Sequence, residues 1–348
     1  MKKNNRYYTR ERVEKNIITL EHGSGGKISH RLIRDMFLRY FSNGMLNREE
    51  DSAVIDVPGG KAAFTTDTFV VKPIFFPGGD IGKLAVCGTV NDLAVKGAVP
   101  KYLSCGFVIE EGFPGEELER IVRSMAEWAG KAGVSIVTGD TKVVGRGEAD
   151  GMFINTSGVG VLESGDILGA ERTEPGDKVI VTGTIGDHGI AVLSKRKGLD
   201  FESDIYSDCA PLNGMLSDVM KNADGVKFMR DPTRGGLGTT LNELAGSSGK
   251  GIIIEEKDIP VKEAVRSACD LLGLDPMYIA NEGKAVLVVS PESAVKALEV
   301  IRRHEYGKDA NVIGQITGED NRKVCLRTRY GVTRIVDMLT GEQLPRIC

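Results

Sequence analysis

The chain has 348 residues, enough for two domains and for a core that needs no disulfide staples. Its 45 basic and 49 acidic side chains leave a formal charge of -4, so composition offers no electrostatic case for non-specific nucleic-acid binding, and its 41% hydrophobic content excludes a disordered chain. Glycine, at 44 residues, is nearly twice its usual ~7% share, a density that points to tight turns and close backbone approach to a ligand.

Residues 1–16 are polar and read as an arm with no apolar signal region, and no run approaches the ~18 apolar residues of a membrane helix. The expectation is a soluble cytoplasmic protein. Over 28–41, Leu32, Ile33, Met36, Phe37 and Tyr40 fall at helical spacing. Strands follow over 52–57 and 61–71, parted by a Pro-Gly-Gly turn. A helix over 80–97 starts on Asp80 as its cap, a strand runs over 101–110, and a helix over 114–131 opens on Pro114. Strands over 134–138 and 152–162 complete the first half. The polar, turn-rich stretch 164–178 marks a boundary between a domain over 17–165 and one over 175–340.

The second half restarts with the strand KVIVTGTIG, then helices over 187–197 and 211–223 and the strand GVKFM. A Gly-rich turn, DPTRGG, leads into a helix. Strands over 251–256 and 284–290 alternate with helices over 261–272 and 292–304, and 323–338 forms a hairpin around Gly331. Mixed strands and helices in both halves predict an α/β (α+β) fold. The tail, 341–348, holds Pro345, which discourages helix, and is expected to be extended and mobile, ending in Cys348. None of the six cysteines is spaced C-x-x-C, so structural zinc is not expected.

Three clusters carry chemistry. The segment EHGSGGK places Gly23, Gly25, Gly26 and Lys27 before a helix, where backbone N–H groups and one cation could wrap phosphate oxygens, although the spacing is not that of a Walker A loop. Asp51, Asp67, Asp92, Asp140 and Asp231 each sit beside Ser, Thr, Asn or Gly. Any one of them could be a cap or a turn former, but together they suit Mg²⁺ with a nucleotide. The terminal LPRIC presents a thiol on an end that reaches where an internal cysteine does not.

Taken together, EHGSGGK, TTDTFVV, GTVNDLAVKGAVP, TGDTKVV, INTSGVG, RDPTRGG, NEGK and the terminal PRIC resemble the HypE family of hydrogenase maturation factors. That family lies within the aminoimidazole ribonucleotide synthetase-like ATP-binding superfamily. The resemblance covers roughly 17–348, and PRIC sets it apart from the rest of the superfamily. It implies two α/β domains, a homodimer whose first-domain sheets pair into a barrel, and ATP in a cleft under the Gly-rich loop. The ATP contacts it implies are the Gly-rich loop with Lys27, then Asp67 with Thr68, Asn91, Gly139 with Asp140 and Thr141, and Asn155. The implied Mg²⁺ ligands are Asp51, Asp92, Asp140 and Asp231, and the catalytic residues are Cys348, Lys142 and Glu282. The implied reaction begins when HypF carbamoylates the terminal cysteine. ATP then drives dehydration of that thiocarboxamide to a thiocyanate, and the cyanide passes to iron on the HypC–HypD complex.

The chemistry has its own logic. An amide oxygen leaves poorly, so a phosphoryl group must be placed on it, with Mg²⁺ to neutralise charge and a base for the N–H proton. Lys142 and Glu282 are both candidates for that base. Selenophosphate synthetases and small-molecule kinases of the same superfamily are the alternatives. The former would carry a cysteine near the Gly-rich loop, and 17–30 holds none. A nucleotide-binding scaffold without turnover is the alternative from another class.

Overall fold

The computed structural model describes Glu21 and residues 26–163, 167–199, 205–318, 321–341, 344 and 346–348. The predicted arm, Gly23, Gly25 and Pro345 lie outside the described residues. The first half opens with α1 (Lys27–Leu32) and α2 (Leu38–Phe41), joined by a π-helical turn, and continues with β1 (Ala53–Val57) and β2 (Gly60–Phe69). A two-residue pair, β3 (Phe75–Phe76) and β4 (Gly79–Asp80), precedes α3 (Ile81–Val95). Then come β5 (Ala98–Glu110), α4 (Gly115–Ala132), β6 (Ser135–Val144) and β7 (Met152–Leu162). The five long strands form one sheet in the order β1-β2-β7-β5-β6, antiparallel except for the β5–β6 pair.

One face of this sheet packs on α3, which is apolar nearly all round and buried along nearly its whole length. Asp80 caps α3 as its sequence suggests, accepting from the N–H groups of Gly82 and Lys83 at 2.8 and 3.0 Å. The other face is open. Phe64, Tyr102, Val108, Val159 and Val161 are exposed on it beside polar residues.

The second half is built from β8 (Lys178–Val181), α5 (Asp187–Lys197), α6 (Asn213–Asn222), β9 (Val226–Arg230), α7 (Gly236–Ser248) and β10 (Gly251–Glu255). It ends with α8 (Glu263–Leu272), β11 (Val286–Val289), α9 (Ala294–Arg302), β12 (Asn311–Thr317), β13 (Val324–Arg327) and β14 (Thr333–Val336). Its seven strands run in the order β14-β13-β10-β12-β8-β11-β9. Apolar clusters cover both faces of this sheet, one under α6 and α9 and one under α7.

Several elements differ from the sequence reading: the strand read over KVIVTGTIG stops at Val181, the 28–41 helix is broken by the π-helical turn, β3 and β4 are additional, and two further differences bear on the site. β12, in the middle of the second sheet, has no counterpart in it. Gly314 and Gln315 interrupt the apolar alternation of NVIGQIT. The structure needs that glycine, because a Cβ there would lie 2.1 Å from the Ile253 carbonyl oxygen. β6 reaches Val144 rather than stopping at 138, so TGDTKVV lies on an edge strand and not at a strand end.

The halves are joined through Asn91 of α3. Its amide donates to the carbonyls of Ala210 at 3.0 Å and Glu282 at 3.2 Å, and its oxygen accepts from the Leu212 N–H at 2.8 Å. Asn91 is 1% exposed. Its replacement by alanine leaves three buried main-chain groups short of a partner, at ~1–3 kcal/mol for each group left unpaired. Asn91→Ala should therefore lower the urea midpoint markedly. A midpoint equal to that of the parent protein would show that the junction does not depend on this residue.

Candidate active site at the domain junction

The end of the chain is docked. The Val70 N–H donates to the main-chain oxygen of Cys348 at 3.0 Å, and the Lys72 N–H to that of Arg346 at 3.2 Å, so the tail extends the pairing of β2 past its end. Arg346 sits at φ 53, a left-handed conformation uncommon for a residue with a Cβ. Its guanidinium reaches the Val70 carbonyl at 2.8 Å and pairs with Asp150. Cys348 is buried, and Arg234 Nε donates to its Sγ at 2.9 Å. Burial pushes the Cys348 thiol up to about 11, against the opposing pull of Arg234.

Beyond Arg234 lies a group of acids drawn from two elements and two loop positions. Asp67 is on the inner side of β2, Asp92 on α3, Asp231 just after β9, and Asp51 before β1. The Thr65 hydroxyl lies 2.7 Å from Asp92 Oδ2 and 2.8 Å from the Asp51 carbonyl oxygen. Arg230 Nε pairs with Asp51 at 2.9 Å. Burial, opposed by Arg230, pushes the Asp51 carboxyl up to about 6. Asp92 and Asp231 are pushed well above the usual carboxylate range, first by burial and then by the neighbouring acids. Asp67 is raised by burial and held back by Arg234.

Carboxylates that repel one another in a buried pocket are hard-oxygen donors in want of a cation, and Mg²⁺ fits that donor set. Among the described residues no three acids converge as a ready-made cage. That agrees with an ion that keeps waters and substrate phosphates among its ligands.

From Asp51 the charges continue outward. Arg230 also faces Glu243 at 3.3 Å, and Glu243 pairs with His30 of α1 at 2.9 Å. These residues line a groove of about 990 Å³ that also carries Lys27, Arg31, Arg34 and Arg48 beside Asp35, Glu49 and Glu50. Its volume suits a nucleotide-sized ligand.

Not all the predicted residues come together. Glu282 reaches the junction: it is 3% exposed, burial raises its carboxyl well above the usual range, and its Oε1 has no hydrogen-bond partner. Asn91 is taken up by the main-chain bonds described above. Asp67 and Thr68 are adjacent on β2 and so point to opposite faces. Thr68 stands on the open face in one cross-strand row with Asn155, Gly106 and Asp140. Asn155 donates to Thr68 Oγ1 at 2.9 Å and to the Asp67 carbonyl at 2.8 Å.

Asp140 is exposed and tied to Lys142 at 2.8 Å, and it stands apart from the four clustered acids. Lys142, on the same face, is 69% exposed. β6 lies three strand spacings from β2, about 14 Å, so Lys142 does not reach the docked Cys348 of its own protomer. Gly139 and Thr141 share this edge strand.

Arg234 and His188 are functional candidates that the sequence reading passed over. Arg234 had a visible signal, the second arginine of RDPTRGG before a Gly-rich helix start. His188, inside GDHGIAV, had none.

Two domains meeting at an acid-lined junction beside a charged groove define the class. Residues 49–162 match the family model for the N-terminal domain of AIR synthase related proteins, and residues 174–326 match the one for their C-terminal domain. Within that class, carbamoyl dehydratase HypE of Azotobacter vinelandii is 50% identical over 331 residues, covering 95% of this chain and 97% of the relative. A crystal structure of HypE with ATP aligns with a TM-score of 0.81 at 48% identity, covering 95% of this chain and all of that one. A HypE–HypF complex aligns at 0.84 and 52%, covering 88% and 99%. The chain belongs to the carbamoyl dehydratase HypE family.

The acid cluster makes a signed prediction. Carboxyl pKa values raised by folding mean that the folded state holds protons the unfolded chain releases. Stability from this source is present below the ordinary carboxylate pKa of ~4 and is lost as pH rises through about 6 and beyond. Without divalent cation, Asp92→Asn should raise the melting temperature at pH 8 by ~2–4 °C per kcal/mol of repulsion removed, and by less at pH 5. An equal shift at both pH values, or none, would contradict the crowding.

Proposed function

We propose that the chain catalyses ATP-dependent dehydration of an S-carbamoyl group carried on its own Cys348, giving a thiocyanate, ADP and phosphate. The observation that carries this reading is the docked tail, which sets the Cys348 sulfur against Arg234 at the edge of the acid cluster. The thiol there is neutral at physiological pH, so the docked position suits a loaded, uncharged sulfur rather than an attacking thiolate. Loading therefore belongs to the undocked tail and to a partner, HypF. The HypC–HypD complex receives the cyanide.

The residues divide the work. Mg²⁺ held at Asp51, Asp67, Asp92 and Asp231 would neutralise charge on the transferring phosphoryl group. The ATP phosphates lie against Gly26, Lys27 and the arginines of the groove. Arg234 steadies the thiocarboxamide as its oxygen takes the phosphoryl group. Glu282, with its unpartnered Oε1, accepts the two carbamoyl N–H protons in turn, one as the oxygen is phosphorylated and one as phosphate leaves. Burial makes its carboxylate a stronger base than an exposed one.

Lys142 enters from a second copy. The open face of the first sheet carries exposed apolar residues beside Thr68, Asn155, Asp140 and Lys142, and pairing two such faces covers them in a homodimer.

The main test is mass spectrometry of the C-terminal peptide after incubation with HypF, carbamoyl phosphate and ATP. The carbamoylated peptide should lose the mass of one water only when ATP is present, and Cys348→Ala should acquire neither modification. A water loss on another cysteine would contradict the reading. Complementation tests Lys142. Mixed Lys142→Ala and Cys348→Ala protomers should recover activity, about a quarter of the parent level for random pairing, because the heterodimer keeps one complete site. No recovery would place Lys142 in its own protomer's site, and an active Lys142→Ala homodimer would place it outside catalysis.

A further inference from the structure

The docked tail is held from one side by the extension of β2 and from the other by α5, whose His188 and Arg196 hydrogen-bond to the tail's main chain. His188, the second residue of α5, is fully buried, with its ring edge-on to Phe76 at 5.4 Å between centroids. Its Nε2 lies 2.8 Å from the Ile347 carbonyl oxygen, and its Nδ1 lies 2.8 Å from Ser207 Oγ. A carbonyl can only accept, so Nε2 carries the hydrogen. Burial pushes the His188 pKa down, so the ring is neutral and Nδ1 accepts from the Ser207 hydroxyl. Ser207 Oγ accepts in turn from the Cys209 N–H at 3.1 Å.

One helix turn pair further on, Arg196 spans two strands of main chain. Its Nη2 donates to the Arg346 carbonyl and its Nε to the Lys72 carbonyl, each at 2.6 Å. With the Val70 N–H on Cys348, each of the last three main-chain oxygens has a donor. The left-handed Arg346 lets successive carbonyls face different partners, and such a conformation persists only where surrounding contacts over-determine it.

We propose that His188 and Arg196 form a clamp on α5 that sets how much of the time Cys348 sits in the junction rather than outside it. They are positioning residues: they touch the tail's carbonyls and not the reacting sulfur. The cycle needs both positions of the tail, so the clamp must be strong enough to populate the docked state and weak enough to release it. Two or three hydrogen bonds to main chain meet that requirement, because each alters a docking equilibrium by roughly tenfold or less.

The proposal rests on Cys348 being the loaded cysteine, but its test needs no turnover. The full-length protein is treated with iodoacetamide at pH 8, and modification of the C-terminal peptide is followed by mass spectrometry. Arg196→Ala, at a half-buried site on the helix surface, should raise the Cys348 alkylation rate about tenfold. His188→Asn places its amide near Nδ1, keeps the Ser207 bond and loses Ile347, and should also accelerate alkylation about tenfold. His188→Gln places an N–H near Nε2 and should stay within about threefold of the parent rate.

Equal rates for the Asn and Gln variants would show that the ring only fills space. A parent-like rate for Arg196→Ala would overturn the clamp even if the His188 variants fail to fold. As a second readout, protein carbamoylated beforehand should form thiocyanate more slowly in Arg196→Ala at saturating ATP, while the ATP concentration giving half the rate stays unchanged. If alkylation responds as expected and no thiocyanate forms even in the parent protein, the clamp stands and the dehydratase reading fails.

Discussion

Four carboxylates gathered at one junction, Asp231 buried and the others half-buried, with Arg230, Arg234 and Lys96 as cations acting on them, are the constraint around which the structure is arranged. Water would solvate Asp51, Asp67, Asp92 and Asp231 far better than this pocket does, and their raised pKa values register that loss. The rest of the structure supplies the scaffolding for the pocket. β2 and α3 bring Asp67 and Asp92 from the first half, and the end of β9 brings Asp231 from the second. Asn91 closes the joint between the halves. The two arginines flank the cluster on different sides: Arg230 leads out to Glu243, His30 and the groove, and Arg234 leads to the Cys348 sulfur.

In the proposed reaction that geometry puts two demands on the Cys348 sulfur. A site that keeps water away from a phosphorylated amide must be enclosed, yet the sulfur must also meet the partner that loads it. A short tail satisfies both demands. Docking it on the extension of β2 uses main-chain bonds, which fix its register without asking for a particular side chain. The Arg346 pair with Asp150, which also holds Lys72, adds a sequence-specific contact near the surface. The same burial that shields the loaded sulfur keeps an unloaded thiol protonated, so docking and loading are chemically separate states of the tail.

Much of this was legible in the sequence, and the exceptions have physical reasons. The acids, the Gly-rich turns and the terminal cysteine were visible as local patterns, and Asp80 capped α3 where its position implied. The partition of candidates between two faces of the first sheet followed from strand periodicity once β2 and β7 were paired, but their register is a long-range property. β6 looked short because TGDTK resembles a turn, and its exposed strand conformation depends on pairing with β5. Asn91 lay in a motif that suggested ligand contact, and only the fold shows its amide taken up by residues 210, 212 and 282. His188 gave no signal at all, because its role depends on a tail 159 residues away along the chain. β12 was hidden by Gly314, whose need for a missing Cβ is set by the neighbouring strand.

In the proposed reaction the docked carbamoyl oxygen takes the phosphoryl group at this junction. The most direct measurement uses protein whose Cys348 carries a carbamoyl group labelled with oxygen-18, given unlabelled ATP for a single turnover. Phosphorus NMR of the products then locates the label. The account predicts one labelled oxygen in inorganic phosphate, none in ADP, and loss of both label transfer and thiocyanate in Asp92→Asn. Label released into water, with unlabelled phosphate and thiocyanate still formed, would contradict it.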